Sequence, residues 1–134
     1  MNNKNLNKFI LASFLLFSSA VMAKNTVQVC ETTMDSTEEV SRCLDGIKGK
    51  KDRELQTWVN NQIFILKDLA ARNGQRTSLD IFERSQRNFI SYRENNCRWQ
   101  YLLIAPNAGA PATYKKCYIT LTQYRIEELT NLNK

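Results

Sequence analysis

The 134-residue sequence predicts an all-α fold: a small antiparallel bundle of three to four helices closed by two disulfides. Three observations lead there. Apolar residues recur at steps of three and four over long stretches. Four glycines and two prolines are confined to a few places, leaving long uninterrupted segments that suit helices. Four cysteines, Cys30, Cys43, Cys97 and Cys117, follow an N-terminal export pattern, so they fall in a compartment that permits disulfides.

That export pattern comes first in the chain. Met1 to Lys8 is polar and carries Lys4 and Lys8, Phe9 to Phe17 is apolar, and Ser18 to Ala23 is rich in small residues. Val21 and Ala23 stand at the −3 and −1 positions of a cleavage site. The sequence thus predicts a cleaved signal peptide over 1–23 and a single helical domain over 24–134. The apolar run is too short for a spanning helix, which needs about 20 residues. Cleavage removes Lys4, Lys8 and no acid, lowering the net charge from +6 to +4. The localisation implied is periplasmic or secreted, with no transmembrane segment after cleavage. An exported chain without a dense basic run is a poor nucleic-acid binder.

The first helix is expected from about Ser36 to Leu44, capped by Ser36 or Thr37, with Glu38 and Glu39 in its first turn. Gly46 and Gly49 are read as a loop. A second helix follows from about Lys51 to Arg72. Its stripe of Leu55, Trp58, Val59, Ile63, Leu66 and Leu69 is the clearest helical signal in the chain. Asn73-Gly74 ends it. The third helix begins near Thr77 or Ser78, with Leu79, Phe82, Gln86, Phe89, Ile90, Arg93 and Cys97 on one face. Trp99 to Ile104 either extends it or forms a short strand. Ala105 to Thr113 is read as an irregular loop, and a last helix runs from about Tyr114 to Leu132.

Four cysteines admit three pairings, and the sequence does not choose among them. The short loops of the local pairs favour Cys30–Cys43 and Cys97–Cys117. A metal site has little support: there is no CxxC and no histidine. The absence of histidine also removes the commonest general base and nucleophile activator. Phosphate-loop, dinucleotide, zinc-protease and serine-hydrolase patterns are missing. Glu38/Glu39 and Glu127/Glu128 are adjacent pairs, which diverge on a helix. The chain is therefore expected not to be an enzyme and to need no cofactor.

From Val29 to Leu132 the sequence resembles the LprI-type domain family of bacterial envelope proteins, named for a lysozyme inhibitor. The likeness is carried by several blocks. Cys30, STEEVSRC with Glu38 or Glu39, and Cys43 form the first. KKDREL, with Asp52 and Leu55, forms the second. FERSQRNFISYRENNC supplies Gln86, Phe89, Arg93 and Cys97. CYITLTQYRIEEL supplies Cys117, Thr122, Arg125, Ile126 and Leu129. Two departures stand out: Phe89 occupies a position where the family often has Trp, and the gap from Cys97 to Cys117 is longer than usual.

The resemblance implies a helical, disulfide-bonded fold and, for some members, inhibition of lysozyme. Gln86, Arg93 and Arg125 lie on or beside apolar stripes. They are expected to knit helices together, with Asp52 or Glu54 matching the buried charge. The partner implied is a protein, lysozyme or another cell-wall hydrolase. Asn107, in the irregular loop, and Tyr114, Lys115 and Lys116 beside it are the candidate contacts, because binding residues concentrate on loops. The competing expectation is a non-inhibitory envelope module of accessory, adhesion or immunity type.

Overall fold

A computed structural model describes residues 26–133. The expected signal peptide at 1–23 lies outside the described residues. The chain forms four helices, α1 (Thr26–Thr33), α2 (Thr37–Asn73), α3 (Arg76–Ile104) and α4 (Ala110–Asn131), with no strand among the described residues. The all-α, doubly disulfide-bonded bundle read from sequence is the fold observed.

Ser36 caps α2: its Oγ accepts from the Glu39 backbone N–H at 3.2 Å and donates to Glu39 Oε2 at 3.1 Å. The helix then runs unbroken for 37 residues. The loop expected at Gly46 and Gly49 does not exist. The physical reason is anchoring on both sides. Leu44 is fully buried and Cys43 is disulfide-bonded just before the glycines, and Leu55 and Val59 enter the core just after them. Glycine in a helix costs about 0.5–1 kcal/mol relative to alanine, too little to break a helix pinned at both ends. Gly74 closes α2 with φ of 70°, its N–H donating to the Ala70 carbonyl at 3.1 Å.

α3 takes Trp99 to Ile104 into its last turns, so the strand alternative is not adopted. The loop read over Ala105–Thr113 is also shorter than expected. Only residues 105–109 form a turn, because Pro111 sits in the first turn of α4, where proline costs no hydrogen bond. Buried Ala110 packs that start down.

α2, α3 and α4 form an antiparallel three-helix bundle, and α1 packs on α2. Two apolar clusters fill the interior. Leu55, Val59, Ile126 and Leu129 pack with Trp58, Ile63, Phe82 and Phe89. Cys30, Leu44 and Ile119 pack with Val40, Ile47 and Ala112. Cys30–Cys43 ties α1 to α2, with Cα atoms 5.7 Å apart. Cys97–Cys117 ties α3 to α4 at 5.5 Å. The long spacing between the latter pair is that of a helical hairpin: about two turns up α3, the 105–109 turn, and about two turns down α4.

Candidate functional site

Between the two apolar clusters lies a polar seam. Along α2, Asp52 falls between Leu44 and Leu55; along α4, Thr122 falls between Ile119 and Ile126. Arg93 reaches this level from α3 and is only 5% exposed. Its Nη1 donates to Thr122 Oγ1 at 2.8 Å and to Asp52 Oδ1 at 3.3 Å. The Tyr118 hydroxyl donates to the same Asp52 oxygen at 2.9 Å, and Thr122 Oγ1 donates to the Tyr118 carbonyl at 2.7 Å. Lys48 lies 3.5 Å from the other Asp52 oxygen and 4.0 Å from the centre of the Tyr118 ring. Burial pushes the Tyr118 phenol well above its ordinary range; Arg93 opposes this, and the hydrogen bond to Asp52 adds to it.

Arg125 builds a second knot where α3 meets α4. Its Nε donates to Gln86 Oε1 at 3.2 Å, and its Nη1 meets Glu128 Oε2 at 2.7 Å. Phe89 is near both guanidiniums, its centroid 5.4 Å from Arg93 Cζ and 5.8 Å from Arg125 Cζ. Asp52, Gln86, Arg93 and Arg125 are thus placed in contacts between helices. Glu54, the other acid considered for the buried charge, pairs with Lys51 instead.

The candidate contact residues lie at the α3–α4 end, and three of them reach different helices. Tyr114 donates to Glu94 on α3. Its phenol is raised to about 12, chiefly by burial and then by the Glu94 hydrogen bond. Lys115 bonds Ser41 and Asp45 on α2, each at 2.7 Å. Lys116 pairs with Glu31 on α1 at 2.6 Å. Asn107 is exposed in the turn, its side chain accepting from the Gly109 N–H at 2.9 Å. Beside them, Glu94, Arg98 and Tyr101 of α3 and Pro111 and Tyr114 of α4 border an open groove of about 370 Å³.

Sequence reasoning takes Trp99 to Ile104 only as an apolar stretch. In the structure Trp99, Leu102 and Leu103 are 55%, 60% and 74% exposed. The signal that sets Trp99 and Leu103 apart is phase. Both fall out of step with Phe89, Arg93 and Cys97, which face the core.

Among the described residues, no group of three or more metal-ligating side chains converges, and no helix is long and apolar enough to cross a membrane. Comparison with curated proteins and with solved structures returns no match. A family model does match, over residues 30–129. That span contains both disulfides and the whole polar seam, and the chain belongs to the lysozyme inhibitor LprI family.

Proposed function

We propose that this protein is an exported, non-catalytic inhibitor that binds a cell-wall-cleaving enzyme of lysozyme type and occludes its cleft. The observation that carries the reading is the family match across residues 30–129. The α3–α4 hairpin supports it: Cys97–Cys117 stiffens a helical pair beside an exposed, largely apolar surface. Such rigidity lowers the ordering cost of binding. The N-terminal pattern over 1–23 and the two disulfides support export. Within this reading Asn107 is a contact at the hairpin tip. Tyr114, Lys115 and Lys116 hold α4 in place through their bonds to α3, α2 and α1.

The test is titration of purified mature protein into lysozymes of several types, with turnover of cell-wall substrate as readout. Stoichiometric loss of activity is expected; full activity at inhibitor excess overturns the proposal. A non-inhibitory envelope module is the second reading. The observation favouring it is the net charge of +4 after cleavage, which gives no long-range steering toward a basic lysozyme.

A further inference from the structure

The outward side of α3 has an unusual composition. From Arg84 to Ile104 it holds no lysine, no aspartate and one glutamate, Glu94, whose carboxylate accepts from Tyr114. Ile81, Asn88, Tyr92, Asn95 and Trp99 are all exposed and recur at steps of seven, four, three and four. They share one face, which Leu102 and Leu103 complete over a length of about 30 Å. Arg84, Arg87 and Arg98 flank it, all exposed. None of the three is in a hydrogen bond or ion pair among the described residues. Asp80 and Glu83, four residues before Arg84 and Arg87, form no ion pair with them, and Glu94, four before Arg98, is bonded to Tyr114.

We infer that this face of α3 is the surface that docks on the partner enzyme, and that the partner presents carboxylates to its arginine flank. The inference rests on the inhibitor reading and names the surface and the partner chemistry. Tyrosine, tryptophan, arginine and asparagine with no lysine and, on the arginine flank, one exposed acid, Asp80, is the composition of protein-binding surfaces. Trp99 and Leu103 supply apolar anchors of the kind that dominate binding energy. Unpaired arginines favour carboxylates, in bidentate geometry where the partner allows. A glycan-cleaving cleft works with paired carboxylates, so this local match operates even where the partner's net charge is positive. A second copy fits poorly, because an antiparallel two-fold contact through this face brings both arginine rows together, and a parallel one leaves them facing no acid row. A bilayer fits poorly too, because Asn88 and Asn95 interrupt the apolar face with amides that hydrocarbon leaves unbonded.

The experiment measures inhibition and binding of the responsive lysozyme by the full mature chain and by Trp99→Ala, Leu103→Asp and the triple variant Arg84→Gln/Arg87→Gln/Arg98→Gln. Phe64→Ala and Tyr124→Ala, exposed on α2 and α4, serve as controls. Trp99→Ala and Leu103→Asp are expected to weaken binding by about 30-fold. The triple variant is expected to flatten the salt dependence. Far-UV circular dichroism establishes that each variant is folded, as substitution of exposed side chains predicts. Unchanged inhibition by the α3 variants overturns the docking face and leaves the inhibitor reading standing. No inhibition by the wild type removes both. Binding of wild type to phosphatidylglycerol vesicles, lost in Trp99→Ala while inhibition persists, overturns it in favour of a bilayer. A dimer in sedimentation equilibrium that Leu103→Asp dissociates overturns it in favour of a second copy.

Discussion

The Arg93 guanidinium carbon lies 3.7 Å from the centre of the Tyr118 ring, and the Tyr118 hydroxyl in turn reaches Asp52, the carboxylate that pairs with Arg93. One tyrosine therefore serves the buried cation twice: its face offers a cation–π contact, and its hydroxyl fixes the counter-ion. A desolvated contact of this kind contributes about 2 kcal/mol. The arrangement lets α2, α3 and α4 share a charge and its counter-ion inside the bundle, with Arg93 Nε left without a hydrogen-bond partner.

Removing an acceptor from this seam should be costly. Thr122→Val keeps the shape but deprives Arg93 Nη1 of its 2.8 Å bond, leaving a buried charged donor short of an acceptor. The expected loss is about 1–3 kcal/mol in urea unfolding. Lys48→Ala, which breaks a half-exposed pair with Asp52, should cost under about 1 kcal/mol. Equal losses for the two would show that the seam does not carry the stability assigned to it.

High pH should destabilise the fold through its tyrosines. Tyr114 and Tyr118 keep their protons above the ordinary value of 10.0, Tyr114 up to about 12. The folded state therefore holds protons that the unfolded chain gives up. This contribution is complete below the unfolded pKa and is lost as pH rises through and beyond it. The melting temperature should fall once pH passes about 10, and Tyr118→Phe should flatten that fall. A melting temperature equally steep in the variant would count against the assignment.

The glycines of α2 should respond in opposite directions. Gly46 is helical and exposed, and a Cβ there meets nothing within 4 Å. Gly46→Ala should raise stability by about 0.5–1 kcal/mol. Gly74 has φ of 70°, so Gly74→Ala should lower it by about 1 kcal/mol. Thermal unfolding of the two variants decides the signs.

The disulfide of the hairpin should contribute both stability and local rigidity. Replacing Cys97 and Cys117 together by serine opens a loop of sequence separation 20. By the chain-entropy estimate it should cost about 3 kcal/mol. It should also raise hydrogen exchange around residues 105–109, since the covalent tie beside the tip is lost and only the non-covalent contacts of Tyr114, Lys115 and Lys116 and helix packing remain. Exchange unchanged at the tip would separate the bond from any role in stiffening the hairpin.

Much of this was legible in the residues. The stripe from Leu55 to Leu69 marks the middle of α2, Asn73-Gly74 marks its end, and Arg93 and Arg125 announce themselves as charges on apolar faces. The break at Gly46 and Gly49 was misleading because local propensity is a small term beside a disulfide and a buried leucine on one side and the main core on the other. Pro111 was misleading in the same way: a proline reads as a loop unless its place in the first turn of a helix is known. The outward face of α3 was hidden for a different reason. Trp99, Leu102 and Leu103 are as apolar as core residues, and only their phase tells them apart.

Sequence alone determined that the chain is helical, that its cysteines belong to a disulfide framework, and that its chemistry excludes histidine-dependent catalysis. Those properties reside in residue type and short-range spacing. Tertiary structure decided which acid meets Arg93, where α2 runs on through its glycines, and which apolar side chains stay in water. Each of these depends on what lies across the bundle: Asp52 is 41 positions from Arg93, and only the packing of α2 against α3 and α4 brings them together.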